Sequence, residues 1–224
     1  MNFAENVLTY QFGLRPDVRL PGGVEFLFPA AQPEVKATMT EFYRRYYNDS
    51  DKRIALLGIN PGRFGAGITG IPFTDPIRLR EVGMIEHDFR DRAELSSIFV
   101  YEVIEAMGGL VKFCETVYIT SICPLGFVKD GKNYNYYDDP KLYQAVKEMI
   151  LENLEELLAS GVRRDIAFSM GKGTNFKYLQ KLNKEYGFFE SVEPLPHPRW
   201  VMQYRLKRKE EFVTEYKEKI ERWT

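Results

Sequence analysis

Residues 54–59 read Ile-Ala-Leu-Leu-Gly-Ile, a short apolar run without alternation that is followed at once by polar and glycine-rich sequence. Runs of this kind are typical of strands that are buried on both faces of a parallel sheet. The pattern predicts three further strands, at 116–122, at 166–170 and near 188–193. Helical patterns separate these strands, and such alternation indicates a three-layer α/β sandwich. We therefore expect a mostly parallel, four-stranded central sheet flanked by helices.

Helices are predicted at 34–47, 140–160, 172–184 and 205–222. The helix at 140–160 carries the strongest signals, because Asp139 suits its N-cap, Pro140 its first turn and Gly161 its end. Residues 1–33 are punctuated by glycine and proline and predict an irregular N-terminal arm. No repeat or linker interrupts the pattern, so residues 1–224 are expected to form a single domain.

Composition narrows the class of protein. With 44% hydrophobic and 28% charged residues, the 224-residue chain resembles an ordinary globular protein. Its 31 basic and 32 acidic residues give a net charge of −1, which excludes a polybasic mode of binding but not a local basic patch. Neither an apolar run of about 18 residues nor a basic-then-apolar N-terminus is present. We expect a cytoplasmic protein without a membrane span.

The two cysteines, Cys114 and Cys123, are too few for a disulfide framework or a cysteine-ligated iron–sulfur cluster. Together with the two histidines they lack the close spacings of a zinc site. They are interpreted as small buried hydrophobic residues, and no metal or cofactor is expected.

Three loops leave the carboxyl ends of the predicted strands, at 60–76, 122–139 and 194–204, where ligands bind in such folds. The first loop contains G-x-G-x-x-G at 65–70. Five residues separate this motif from the strand, and Pro72 and Pro76 argue against a helix starting inside it, so a dinucleotide site is disfavoured. The loop is expected to be either a tight surface turn or a close-packed pocket for a planar ligand.

The motifs of these loops resemble one known family. The run GINPGRFGAGITGIPF at 58–73 looks like the first active-site motif of the single-strand-selective monofunctional uracil-DNA glycosylases. VYITSICPLGFVKDGKN at 117–133 is similar to the family's second segment, and His197-Pro198 matches its His-Pro motif. The resemblance covers roughly residues 53–220, with departures that suggest a divergent bacterial branch of the uracil-DNA glycosylase superfamily.

The resemblance implies two catalytic residues. Asn60 would position the attacking water, although an asparagine after a strand can also simply brace its own loop. His197 would donate a hydrogen bond to uracil O2 as charge builds on the leaving base, although an isolated histidine often has no such role.

Four residues are implied to bind the base. Phe73 would stack under it, unless it is only a core residue, and Gly62 would form the wall at its C5 edge. Ser121 stands where typical members carry a base-reading asparagine, and Asn133 would compensate for that departure.

A basic and aromatic stretch follows His197, and it suggests DNA contacts from Arg199, Trp200, Met202 and Arg205. The alternative is the basic start of a surface helix. Lys172, in the Gly-Lys-Gly-Thr run before the helix at 172–184, is a further candidate phosphate contact.

These residues together predict a glycosylase that flips uracil, and other deaminated bases, out of single- and double-stranded DNA. No lysine lies at a catalytic position of the matched motifs, so the enzyme is expected to be monofunctional. It is expected to be a monomer without affinity for membranes. The rival interpretations are a non-catalytic binder of damaged bases or single strands, and a hydrolase of small nucleosides.

Overall fold

The computed structural model describes residues 1–224 in full. Ten α-helices are present, numbered in chain order: α1 (Phe3–Gly13), α2 (Pro33–Tyr46), α3 (Ala66–Thr69), α4 (Pro76–Glu81), α5 (Leu95–Ala106), α6 (Leu110–Thr116), α7 (Pro140–Ala159), α8 (Thr174–Tyr186), α9 (Pro198–Tyr204) and α10 (Lys209–Glu221). The seven strands are β1 (Val24–Leu27), β2 (Arg53–Gly58), β3 (Val117–Ser121), β4 (Gly126–Lys129), β5 (Lys132–Tyr134), β6 (Val162–Met170) and β7 (Ser191–Leu195). Short 3-10 turns occupy Pro29–Ala31 and Leu206–Arg208.

The predicted central sheet is confirmed. It has four strands in the order β3-β2-β6-β7, and every neighbouring pair is parallel. All six residues of β2 are buried, as the apolar run predicts for Ile54 to Gly58. The first residue, Arg53, is buried as a charged group and pairs with Asp49. The register places Gly58 beside Ser121, so the loops that leave β2 and β3 begin at the same edge of the sheet.

Helix α7 also forms where the sequence predicts it. The Asp139 side chain accepts a hydrogen bond from the Lys141 N–H, and Pro140 occupies the first turn. Its apolar stripe includes Leu142, Val146 and Ile150, which are fully buried, and the helix packs against β6 of the central sheet.

The prediction of an irregular arm at 1–33 is wrong. Asn2 caps α1 by accepting a hydrogen bond from the Glu5 N–H, and α1 buries Phe3 and Val7 in the main core. Further along the same segment, β1 pairs antiparallel with β4.

The expected loop at 122–139 contains a hairpin. Strands β4 and β5 pair antiparallel around Asp130 and Gly131, which both have positive φ, as a two-residue hairpin turn requires. With β1 they form a second, three-stranded sheet. The Asp-Gly pair is itself a hairpin signal in the sequence.

The predicted helix at 205–222 is wrong in its first part, because the chain forms α9 at 198–204, breaks at Arg205 and resumes as α10. Pro198 fits the first turn of α9, where no N–H is needed. The one-turn helix α3 likewise starts inside the G-x-G-x-x-G motif, contrary to expectation. None of the helices combines the length and apolar character needed to cross a membrane.

Candidate active site

A cleft of about 350 Å³ opens at the carboxyl ends of β2 and β3. Seven of the predicted site residues line it: Asn60, Gly62, Phe73, Ser121, Asn133, His197 and Arg199. A larger groove of about 730 Å³ lies between α1 and α7, and none of the predicted site residues borders it. The chemistry-bearing residues therefore converge on the smaller cleft.

The amide of Asn60 is held by backbone groups at and just after the end of β5 and by its own loop. Its Oδ1 accepts a hydrogen bond from the Tyr136 N–H at 3.1 Å, and its Nδ2 donates to the carbonyl oxygens of Tyr134 and Pro61 at 3.3 Å. These partners fix which end of the amide is oxygen. Asn60 thus braces distant parts of the chain, and Oδ1 keeps a second lone pair for a further donor such as water.

His197 is the N-cap of α9, and its Nδ1 accepts a hydrogen bond from the Arg199 N–H at 3.2 Å. Because Nδ1 is an acceptor, the ring proton of the neutral form lies on Nε2. Burial, with a smaller contribution from the Arg199 charge, lowers the pKa of His197 to about 4. At neutral pH the ring is therefore an uncharged donor.

Phe73 borders the cleft with a backbone φ of 54°, which is uncommon for a bulky residue. Its ring lies so close to Gly58 that a Cβ at that position would come within 2.9 Å of the ring edge. The glycine that ends β2 therefore lets the ring lie against the edge of the sheet. Strained residues of this kind occur where a ligand is clamped.

Asn133 lies across from Gly62, and its Oδ1 accepts a hydrogen bond from the Arg63 N–H at 2.9 Å. A Cβ on Gly62 would come within 3.1 Å of the Asn133 Nδ2. Asn133 therefore ties β5 to the glycine-rich loop. Ser121 is buried at the end of β3, where its carbonyl oxygen accepts a hydrogen bond from Asn153 at 3.0 Å.

The predicted DNA contacts are distributed over a wider surface. Lys172 and Trp200 line a second cavity of about 350 Å³, which shares Ile59 and His197 with the cleft. Lys172 is paired with Glu215 at 2.9 Å.

Arg205 stacks on Trp200 with its guanidinium 4.8 Å from the ring centre, and it borders neither cavity. Met202 packs against the hydrophobic core and also lies away from both cavities. The structure thus brings Arg199 to the cleft itself, places Lys172 and Trp200 beside it, and leaves Met202 and Arg205 outside.

The structure adds cleft residues that sequence reasoning missed, among them Phe64 and Glu94. The guanidinium of Arg92 lies 3.5 Å from the centre of the Phe64 ring, and that of Arg63 lies 5.0 Å from it. The position of Phe64 in the glycine-rich loop could have identified it as a cleft residue from the sequence. Arg92 lies in a charged run that looks like an ordinary solvated surface, so it gave no such signal.

The two cysteines and the second histidine, His87, lie outside the cleft. Cys114 and Cys123 are buried, as predicted, and burial raises the pKa of each thiol to about 12. His87 is half-buried, and its Nε2 lies 2.8 Å from the Pro76 carbonyl oxygen. No three His, Cys, Asp or Glu side chains cluster closely enough to hold a metal ion.

Comparison with known proteins identifies the family. The model of the Uracil DNA glycosylase superfamily matches residues 44–221. The chain belongs to that superfamily. It is also similar to wild-type SMUG2 of Pedobacter heparinus, whose crystal structure aligns with a TM-score of 0.96 at 40% identity, over 100% of this chain and 98% of the other. The resemblance to the single-strand-selective monofunctional glycosylases is confirmed, and with it the predicted fold.

This uracil-DNA glycosylase is monofunctional, and DNA is its substrate. The activity that the motifs predict is therefore confirmed at the level of the family, and the interpretation as a non-catalytic binder is set aside.

Proposed function

We propose that this glycosylase flips uracil out of DNA into the cleft of Asn60 and His197 and hydrolyses its N-glycosidic bond there. The observation that carries the proposal is the convergence of an oriented amide, a neutral imidazole donor and the Phe73 ring on one cleft. The amide positions the water, the imidazole donates a hydrogen bond to the leaving base, and the ring stacks on the base.

The reaction breaks the bond between C1′ of the sugar and N1 of uracil, and the electron pair stays with the base. The Nε2–H of His197 donates to uracil O2 as negative charge develops there, which in comparable sites lowers the barrier by about 2.7–4 kcal/mol. Asn60 cannot act as a strong base, because an amide does not titrate near neutral pH. Its free lone pair instead holds the water that attacks a sugar already carrying positive charge.

The base itself is held by the walls of the cleft. Phe73 stacks under the ring, and such contacts contribute about 1–3 kcal/mol per base. The Ser121 hydroxyl faces the polar edge, while Gly62 leaves space at C5 that Asn133 limits from the opposite side. A hydroxyl donates or accepts, so the proposal includes deaminated bases other than uracil.

The DNA backbone is proposed to lie across two rims of the cleft. Arg199 at the start of α9 forms one rim, with Lys172 and Trp200 beyond it. The other is formed by Phe64 with Arg63 and Arg92, whose guanidinium groups form no ion pair. Both single- and double-stranded DNA are included, and we propose a single-domain, monomeric enzyme that works in the cytoplasm.

Base flipping leaves a gap in the stack that a side chain has to fill. The break between α9 and α10 exposes Tyr204 and Leu206, at 66% and 58% of their surface. We assign the filling role to this turn rather than to Met202, whose side chain already packs on the core.

The test is single-turnover excision from uracil-containing oligonucleotides, read on a gel after alkali. Asn60→Ala and His197→Ala should each lower the rate by about a hundredfold or more. Asn60→Ala should also lower the free energy of unfolding by about 1–2 kcal/mol, since its amide braces the backbone.

His87→Ala, the change at the other histidine, should retain the wild-type rate per folded molecule. A wild-type rate in either cleft variant would contradict the role assigned to that residue. Excision from free deoxyuridine but not from DNA would favour the nucleoside hydrolase.

A further inference from the structure

Glu94 is a cleft residue to which neither the motifs nor the proposed mechanism gives a role. It lies immediately before α5, and its N–H donates to Asp75 Oδ2 at 2.9 Å. The other oxygen of Asp75 caps α4 by accepting from the Arg78 N–H at 2.9 Å. Glu94 is thus anchored through its backbone, which leaves its side chain free to serve the cleft.

The side chain of Glu94 borders the same cleft as Asn60 and His197. Its carboxyl group lies against Gly65, where a Cβ would come within 2.1 Å of Oε2. Gly65 has a φ of +59° and no side chain, so the glycine-rich loop makes room for this carboxyl group. No group of the protein donates a hydrogen bond to the carboxyl or forms an ion pair with it, unlike the neighbouring Asp75.

The charged groups around Glu94 come from three elements. Asp75 approaches from the start of α4, Arg199 from α9, and the cleft wall contributes the neutral ring of His197. Arg63 and Arg92 are directed to the Phe64 ring instead. Burial first, and then the negative charge of Asp75, raise the pKa of Glu94 to about 7, with Arg199 opposing them. The carboxyl group is therefore present as an acid in much of the protein at neutral pH.

The leaving base develops negative charge, which an ionised carboxylate beside it would repel and a neutral carboxylic acid would stabilise by donating a hydrogen bond. Enzymes use carboxylic acids that stay protonated in apolar sites in this way. We propose that Glu94, in its protonated form, is a second hydrogen-bond donor to the base as it leaves, beside His197. This inference rests on the proposed mechanism and adds a catalytic residue to it.

The step balances without another reactant. The C1′–N1 bond breaks and its electron pair remains on the base, whose carbonyl oxygen receives the hydrogen bond from the Glu94 O–H. The water oxygen bonds to C1′, one water proton stays in the new hydroxyl, and the base takes up one proton in total. Glu94 returns to its starting state.

The experiment is the pH dependence of single-turnover uracil excision, from pH 6 to pH 8.5, at saturating enzyme. The wild-type rate should fall about tenfold or more as pH rises through about 7, because the acid form is lost. Glu94→Gln keeps a neutral donor at every pH, so its rate should change less than about twofold over the range. Glu94→Ala should be slow and flat, and the matched control Glu105→Gln, on the exposed side of α5, should follow the wild type.

A thermodynamic measurement tests the same group without catalysis. Glu94 has a higher pKa in the folded than in the unfolded protein, so its contribution to stability is present below pH 4.5 and is lost as pH rises through about 7. The urea-derived free energy of unfolding of Glu94→Gln should therefore gain on that of the wild type between pH 5 and pH 8.

A wild-type rate that is flat or rises through pH 7, or a fall that persists in Glu94→Gln, would overturn the role of Glu94 as a donor. Either result would leave uracil excision by Asn60 and His197 intact. Absence of excision by the wild type at every pH would instead contradict the proposed function itself.

Discussion

His197 shows how a single buried side chain is set up for its reaction by its own helix. The Arg199 N–H occupies Nδ1, and burial keeps the ring uncharged, so the one remaining N–H is available to the base. A charged imidazolium would also donate, but its desolvation would cost stability in a partly apolar cleft. The lowered pKa of His197 therefore reduces the free energy of unfolding at acid pH.

The pKa of His197 predicts a change of stability with pH. Between pH 6.5 and about 4 the unfolded chain binds a proton at this residue and the folded protein does not, so the free energy of unfolding falls as pH falls. The full effect is at most about 3 kcal/mol. The urea-derived free energy of unfolding of His197→Gln should therefore gain on that of the wild type as pH falls through this window, whereas the control His87→Gln should keep the contribution of His197. A constant difference between the wild type and His197→Gln over this window would show that burial does not depress this pKa.

Ser121 should determine which bases the enzyme accepts. Its hydroxyl rotates and shows little preference for a donor or an acceptor, whereas an asparagine amide pairs with both the N3–H and the O4 of uracil. Loss of one bidentate contact elsewhere costs about 1–3 kcal/mol of discrimination. We expect wild-type excision of hypoxanthine or xanthine beside uracil, and a shift of the rate ratio toward uracil in Ser121→Asn. The measurement compares single-turnover rates on otherwise identical oligonucleotides, and strict uracil specificity in both proteins would shift attention to Asn133.

At the scale of elements, the junction between β2 and the glycine-rich loop holds the stacking ring in place. Gly58→Ala would set a Cβ 2.9 Å from the Phe73 ring and 3.3 Å from the Thr120 carbonyl oxygen. The strand cannot move, because it is central in the sheet, so the ring has to give way. We expect weaker binding of uracil DNA by about tenfold, with a smaller effect on a DNA that already contains an abasic site. Gly22→Ala, where no atom lies within 4 Å of the added Cβ and which borders neither cavity, is the control. Equal losses on both DNAs would place the defect in the backbone contacts instead.

Elements with a one-sided or unbroken apolar pattern could be predicted from the sequence, and others could not. The apolar run of β2 and the stripe of α7 identify both within about a residue. Helix α5 is buried on most sides, from Ser96 to Ile104, and begins without a capping side chain, so it shows neither a stripe nor a start signal.

The contrast between local sequence patterns and tertiary contacts also decides which site residues can be predicted. Ser121 ends β3 and Asn60 comes two residues after β2, so the parallel pairing of these strands brings them together, and the motif resemblance adds His197. Glu94 is held at the cleft by its backbone hydrogen bond to Asp75 and by the packing of α5 against α9, which are tertiary contacts that no local pattern contains.

At the scale of the whole molecule, a net charge of −1 means that the overall field does not attract DNA. The attraction of DNA phosphates therefore has to come from basic side chains that no acidic side chain neutralises. Many basic residues away from the cleft are paired with acids, for example Arg80 with Asp91 at 2.9 Å. Arg92, which stacks on Phe64, and Arg199, which lines the cleft, form no ion pair and therefore remain available to phosphates.

Local contacts of this kind predict a specific dependence on salt. Each phosphate contact that is lost reduces the slope of log affinity against log salt by about 0.9 for duplex DNA and about 0.7 for a single strand. Arg92→Ala and Arg199→Ala should each lower the slope by one such step and weaken binding to several sequences equally. Together they should lower it by two, because the two rims contact different phosphates.

The control is Arg164→Ala, an exposed arginine in the first half of β6, at the opposite edge of the sheet from the cleft. Its slope should equal that of the wild type. A reduced slope for Arg199→Ala alone would confine the interface to the α9 side. An unchanged slope in both rim variants would mean that the backbone passes over neither rim. The exposed turn of Tyr204 to Leu206 and the Lys172 cavity would then be the surface that binds the strand, with Lys172 leaving Glu215 to do so.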